Sequence, residues 1–293
     1  MADRIRLSDL AQQAGVSTAT VSRVLNGKET VASATRQAVL TALDLLGYER
    51  PEKLREHPGG RIGLIVPELT NPIFPIFAQN IESTLSSYGY TPMLCTQTAG
   101  GITEDSYVEL LLEQHVAGII FVSGLHADVS ASVSRYERLK EIGLPFVTVN
   151  GPNPQIATPD FSTDSADAVG QCVRHLISLG HTSIGLAMGP ERFIPSQMKV
   201  KGFRSAMDSH APDATAPVVH TLYTVEGGQS AARMLLKEGC TAIVCGSDIM
   251  ALGVIRQCSA QGIRVPEDVS VTGFDDSPLM AFSSPPLTTI RQP

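Results

Sequence analysis

Between Ser17 and Asn26 the sequence runs Ser-Thr-Ala-Thr-Val-Ser-Arg-Val-Leu-Asn, a stretch whose residue types and spacing could read another molecule. At a helical period Thr18, Ala19, Ser22 and Arg23 fall at i, i+1, i+4 and i+5 and share one face, while Val21, Val24 and Leu25 share the other. The first face carries one long cation, two hydroxyls and a methyl, and is narrow enough for a DNA major groove. Arg23 can present a fork to guanine O6 and N7, and Ala19 and the Thr18 methyl can touch a thymine methyl. Thr20, Ser22 and Asn26 are short polar groups placed to reach phosphates, and Ser17 caps the helix beside them. The blander alternative is a small three-helix domain whose polar face is merely solvated.

Catalytic patterns are missing elsewhere. The sequence contains no G-x-x-x-x-G-K-[ST], no G-x-G-x-x-G and no G-x-S-x-G. Asp275 and Asp276 are adjacent, and neighbours on one chain rarely flank a substrate as a catalytic pair must. His175 and His181 bracket a helix C-terminus, where charge–dipole placement is the simpler reason for them. The five cysteines (Cys95, Cys172, Cys240, Cys245, Cys258) are scattered, mostly in apolar runs, without C-x-x-C spacing or a paired-histidine partner. They read as reduced core thiols. No metal, no cofactor and no enzyme activity is expected.

Three short helical patterns hold the reading face in place. Leu7–Ala14 is the first, with Leu10, Ala11 and Ala14 on one side. Gly15-Val16-Ser17 makes a tight turn in which Gly15 suits a left-handed C-cap and Ser17 an N-cap for the second helix, Thr18–Leu25. A third starts near Ser33, a good cap, and runs through Val39, Ala42, Leu43 and Leu46 to Gly47. Residues 50–60 are charged and bounded by Pro and Gly, the composition of a linker.

Beyond the linker, short apolar runs alternate with amphipathic helical stretches. The first series is Ile62–Pro67, Phe74–Tyr88, Thr91–Cys95, Thr103–Gln114, Gly118–Val122, Ser130–Ile142 and Phe146–Val149. The second is Ala166–Leu179, Ile184–Met188, Gln197–Ser209, Glu226–Leu236, Ala242–Cys245, Ile249–Gln261 and Val269–Phe274. Continuous apolar strands joined by helices imply parallel sheets covered on both faces. The expected fold is a small all-α helix-turn-helix head (1–49) and a linker (50–60), then an α/β body (61–293) of two doubly wound parallel-sheet lobes, about 61–160 and 161–290. A ligand would sit between the lobes, at the C-terminal ends of the strands.

The net charge of −7 is unevenly placed: residues 1–61 hold nine Lys/Arg and seven Asp/Glu, leaving thirteen against twenty-two in the rest. A weakly cationic head on an acidic body permits DNA contact at the head and discourages it elsewhere. No apolar run approaches the ~20 residues of a membrane span. The charged N-terminus has no apolar stretch behind it and does not read as a secretory signal. The expected location is cytoplasmic, with no membrane partner.

The run Leu-Ala-Gln-Gln-Ala-Gly-Val-Ser-Thr-Ala-Thr-Val-Ser-Arg-Val-Leu-Asn-Gly (residues 10–27) closely resembles the head of the LacI family of transcription regulators. The resemblance continues through Leu43–Tyr48 with Pro51, Ile62–Phe74, His175–His181, Gly246–Gly253, Val265–Asp276 and Pro286–Ile290, spanning nearly the whole chain. It implies a body like the periplasmic sugar-binding proteins. It also implies a homodimer on a pseudo-palindromic double-stranded DNA operator, repression of transcription, and control by a small effector, a sugar. In the family the segment after the head forms a hinge helix with a leucine wedge for the minor groove. Here that stretch is a few residues shorter, Pro58-Gly59-Gly60 would end a helix early, and Leu54 stands in for the wedge. Relatives continue past the Leu-Thr-Thr-Ile strand through another helix and a final strand. This chain stops at Gln292-Pro293, so either it is a fragment or that crossover is absent, and truncation is the expectation.

The same resemblance puts effector contacts at Ile73, Phe74, Asn150, Lys199, Tyr223, Ser247, Asp248, Asp275 and Gln292. Their chemistry suits a polyhydroxylated ligand. Asn150 and Asp275 accept from hydroxyls, Lys199 donates where the family usually has Arg, and Phe74 or Tyr223 offers an apolar face to a sugar ring. Taken singly, Phe74 and Tyr223 would as soon be core, and an Asp in a βα loop a helix cap. A ligand bridging the lobes would shift the population of lobe arrangements and so the affinity for DNA. A transporter's solute-binding protein would share the body, but not the DNA-reading head.

Overall fold

The computed structural model describes residues 6–28, 30–48, 59–97 and 100–293. Leu54 and most of the linker lie outside the described residues. Three helices open the chain: α1 (Leu7–Ala14), α2 (Thr18–Leu25) and α3 (Ser33–Leu45). Gly15 ends α1 in the left-handed region at φ 65°, a conformation that costs glycine least, and its N–H reaches the Ala11 and Gln12 carbonyls. Ser17 then caps α2, its hydroxyl accepting the Thr20 N–H at 3.1 Å. Ser33 departs from expectation, because it is already the first helical residue and Ala32 before it supplies no side-chain cap. The turn leading into α3 is held instead by Arg36, whose guanidinium donates to the Lys28 carbonyl at 2.8 Å. Leu10, Val21, Val24, Val39 and Leu43 close a small fully buried core.

The body's first sheet is built from β1 (Arg61–Val66), β2 (Thr91–Thr96), β3 (Gly118–Val122), β4 (Phe146–Val149) and β5 (Asp160–Phe161), in the order β2-β1-β3-β4-β5. Its helices are α4 (Ile73–Ser87), α5 (Glu104–Glu113) and α6 (Ser134–Glu141). The second sheet uses β6 (Ile184–Met188), β7 (Val218–His220), β8 (Ala242–Cys245), β9 (Ser270–Asp275) and β10 (Thr288–Arg291), in the order β10-β9-β8-β6-β7. Around it lie α7 (Ser165–Ser178), α8 (Ile194–His210), α9 (Val225–Lys237) and α10 (Asp248–Ala260). Its strand pairs are parallel throughout.

Burial follows strand position. Every residue of β6 and β8 is buried and β9 nearly so, whereas the edge strands β7 and β10 are only partly covered. Alternate residues of the inner strands face two separate cores. Leu186, Met188 and Val244 pack with Val173, Leu176 and Phe203 of α7 and α8, while Ala187, Ile243 and Cys245 pack with Leu235, Met250 and Val254 of α9 and α10. All five cysteines are buried. β5 and β7, two and three residues long, carry too little apolar sequence to announce themselves, and neighbouring strands recruit them by backbone pairing. Helix α8 starts three residues before the expected Gln197, with Pro195 in its first turn, where a missing N–H is no loss.

Packing divides the chain into two compact units. One joins the residues up to Ile62 with Gln79–Met93, and the other joins Gly63–Ala78 with Leu94–Pro293. Among the described residues no helix is long and apolar enough to cross a membrane.

Candidate functional site

The first candidate surface is the outer face of α2. Val21 and Val24 are fully buried against α1 and α3, which turns Thr18, Ala19 and Arg23 to solvent. Ser22 is half-buried between the two faces. Two of the groups expected to meet phosphate already have local partners. The Thr20 hydroxyl bonds that of Ser17 at 2.9 Å, and the Asn26 amide donates to the Ser22 carbonyl at 2.8 Å, closing the end of the helix. The exposed set therefore reduces to one cation, Arg23, beside small groups on one face of α2. That is a shape suited to a groove.

The second candidate is a cavity of about 310 Å³ within the second unit, at the C-terminal ends of strands from both sheets. Pro67 and Glu68 follow β1, Ser123 follows β3, Asn150 follows β4, Gly246 follows β8 and Asp275 ends β9. Parallel sheets put their βα loops at this edge, so residues far apart in sequence converge there. Three of the lining residues hold positive φ without being glycine: Ser123 at 45°, Asn150 at 61° and Asp275 at 124°. Such backbone is strained and persists only where the surroundings fix it. The Asn150 amide donates to the Ser123 hydroxyl at 2.6 Å, and the Gln292 amide donates to the Asp275 carboxylate at 2.6 Å.

One wall is aromatic. Tyr223, Phe74 and Phe193 line the cavity, and the Tyr223 hydroxyl pairs with that of Ser196 at 2.8 Å. A Cβ on Gly189 would collide with the Tyr223 ring, so a bare glycine is what lets the ring lie flat there. Lys199 is buried, donates to the Gly246 carbonyl at 2.8 Å and lies 3.6 Å from the centre of the Phe274 ring. Burial pulls its ammonium below the usual lysine range, and the Asp275 and Asp248 carboxylates pull it back up. Burial likewise pushes Asp275 above the usual carboxylate range, with Lys199 opposing. Each charge thus makes the other tolerable.

Ile73, Phe74, Asn150, Lys199, Tyr223, Ser247, Asp275 and Gln292, all expected from the sequence, come together around this cavity. Asp248 does not join them. Its carboxylate accepts the Ser277 N–H at 2.7 Å and the Thr289 hydroxyl at 2.5 Å, tying α10 to the far end of the second sheet. Its position one residue after Ser247 put it in the right loop, but the helical turn directs it backwards into the lobe. Among the polar lining residues the sequence reading missed Glu68, Asn71, Ser123, Arg192 and Thr224. Glu68 and Ser123 could have been found as the first polar residues after apolar strands. Arg192 carries no such signal, because a tertiary contact places it: its guanidinium meets Asp128 of the other lobe at 2.8 Å. The Val129 N–H bonds the Arg192 carbonyl at 2.9 Å beside that pair. The loop before Asp128 is braced from behind by Glu104, which accepts the Leu125 N–H at 2.9 Å and the Tyr136 hydroxyl at 2.5 Å. Among the described residues no group of three His, Cys, Asp or Glu side chains is placed to hold a metal ion.

Residues 6–51 match the family model described as bacterial regulatory proteins, lacI family, and residues 173–293 match the periplasmic binding protein-like domain. The chain is 58% identical to the HTH-type transcriptional regulator MalR of Streptomyces coelicolor over 98% of its own length and 85% of the relative's. Among solved structures it resembles the transcriptional regulator CelR in complex with cellobiose, with a TM-score of 0.68 at 29% identity, covering 99% of this chain and 88% of that one. It also resembles the lac repressor dimer bound to operator and the anti-inducer ONPF, with a TM-score of 0.68 at 25% identity and the same coverage.

Proposed function

The chain belongs to the lacI family of bacterial regulatory proteins and is a DNA-binding transcriptional regulator, and from that premise we propose that it is a cytoplasmic repressor whose operator affinity is set by a sugar. The observation that carries this reading is convergence: residues spread from Ile73 to Gln292 meet in one cavity at the strand ends, with aromatic faces beside hydrogen-bonding groups. That combination suits the two sides of a sugar ring, apolar on its C–H face and polar at its hydroxyls. The relatives support it by what they hold, one a disaccharide and another an operator, as a dimer.

In this reading α2 reads the major groove, with Arg23 as the base-specific contact and Thr18 and Ala19 against it, while Ser17, Thr20, Ser22 and Asn26 position the helix on the backbone. Two copies bind a pseudo-palindrome. A sugar contacting both lobes favours one lobe arrangement over the other, and DNA affinity changes by no more than the difference in sugar affinity between them. Leu54 as minor-groove wedge belongs to the same proposal. The test is selection of the purified chain on random duplex DNA across a salt series, with and without added sugars. A palindrome whose affinity falls steeply with salt and shifts on sugar addition is the expected result. Salt-dependent binding with no sequence preference would sink the repressor reading, and a palindrome indifferent to every sugar would sink the effector half.

A further inference from the structure

The cavity meets solvent on one side. Of the twenty described residues that line it, Arg192 and Leu222 alone are exposed, so its mouth lies at the loops that follow β6 and β7. At that mouth the two lobes touch far from their covalent link. The chain passes from the first lobe to the second between β5 and α7, yet the loop after β3 also reaches the loop after β6, 64 positions further on.

Three contacts make this junction. The Arg192 Nε donates to one Asp128 oxygen at 2.8 Å, the Val129 N–H donates to the Arg192 carbonyl at 2.9 Å, and Asp128 and Phe193 form an isolated antiparallel bridge. The first-lobe side is a fixed post. The other Asp128 oxygen accepts the Ser130 N–H at 2.9 Å and the Ser130 hydroxyl at 2.6 Å, and the Asn153 amide donates to the His126 carbonyl at 2.9 Å beside it. The second-lobe side is an arm. Arg192 engages Asp128 through Nε alone, lies over the Phe193 ring at 4.7 Å, and keeps 55% of its side chain in solvent against 8% for Asp128. An ion pair with one solvated partner is weak, so it can bias an arrangement and still let go. Ala127 and Phe193, next to the pair on either side, both line the cavity, and parting the pair therefore parts the cavity wall.

We propose that Asp128 and Arg192 form a latch: they hold the two lobes together across the cavity mouth, and a small molecule enters or leaves the cavity only when they separate. The proposal goes beyond the effector reading above, because it concerns passage and holds whatever the cavity takes.

The test needs no ligand. Ser247 is buried and lines the cavity, so Ser247→Cys puts a thiol inside it, and the five native cysteines, all buried, control for general loosening. The rate at which N-ethylmaleimide modifies the introduced thiol is compared in the full chain with the latch intact and with Asp128→Asn or Arg192→Leu added. Asp128→Asn keeps an oxygen for Ser130 but offers Arg192 no charge, and Arg192→Leu leaves the Asp128 loop untouched. Each should speed modification about fivefold, the loss expected for an ion pair with one solvated partner. Hydrogen exchange at the Val129 N–H should quicken by the same factor, since neither change removes that N–H or the Arg192 carbonyl and the rate follows the opening equilibrium. Raising the ionic strength to about 1 M should speed both rates with the latch intact and leave either variant little changed. Unchanged rates at both positions overturn the latch. Faster exchange at Val129 with an unchanged thiol rate overturns the gate, because the lobes then part without admitting the reagent. If Asp128→Asn also opens the native cysteines to modification, the fold has loosened generally and Arg192→Leu alone decides.

Discussion

In the proposed function the head and the cavity solve recognition in opposite ways. The head shows its partner one continuous helix, α2, whose outward residues lie within nine positions of one another and whose inward residues form a small single core. The cavity draws on loops after strands of both sheets, holds three non-glycine residues at positive φ and buries a cation and a carboxylate. A surface that meets phosphate can remain solvated until it binds. A pocket that must single out one small molecule has to be pre-shaped, and needs two large cores behind it to hold strained backbone and opposed charges in place.

The largest expected difference lies in what a core deletion does to each region. Leu10→Ala removes a fully buried side chain from the head at a cost of about 2–5 kcal/mol, enough to unfold so small a core. Operator binding should vanish, hydrogen-exchange protection over residues 6–48 should collapse, and sugar titration should be unchanged. Leu235→Ala removes a comparable side chain from the body at similar cost, yet the second sheet keeps its other core and the cavity should still bind. If both variants lose both activities, the two regions are not energetically separable and the comparison fails.

The next effects are functional. Asp275→Ala removes a buried acceptor that also steadies Lys199, and hydrogen bonds to charged groups contribute about 1.5–3 kcal/mol, so sugar affinity should fall ten- to a hundredfold with sugar-free DNA binding intact. Arg23→Ala should cost about 1–3 kcal/mol and relax the selected sequence at one base position in each half-site, leaving the sugar titration untouched. A uniform loss across all sequences would instead assign Arg23 to phosphate. Smaller still, Tyr223→Phe removes the bond to Ser196 and should lower thermal stability and sugar affinity by about 0.5–1.5 kcal/mol. Ser17→Ala, which removes the α2 cap, should cost the head about 1 kcal/mol, visible as a weaker operator complex with unaltered base preference.

Legibility in the sequence followed the same divide. The bounds of α1 and α2, the Gly15 and Ser17 caps and the alternation of inner strands with helices could be read from the residues, because each depends on neighbours a few positions away. Ser33 as a cap could not, since it is already inside α3 and the turn before it is bridged by Arg36 bonding the Lys28 carbonyl. The short strands β5 and β7 were invisible because pairing with longer neighbours forms them. Eight of the twenty cavity residues were reached, and only through family resemblance, a route that also named Asp248, whose carboxylate turns to Ser277 and Thr289 instead.

By itself the sequence determined the period and polarity of each long element, the helix that turns a cation to solvent, and the class of the body. These follow from backbone geometry and burial, which act locally. Tertiary structure alone decided that Arg192 meets Asp128 and that Gln292 reaches Asp275. Electrostatics sets the character of a pocket over a few ångströms of space, and in a parallel α/β fold those ångströms separate residues that stand tens of positions apart along the chain.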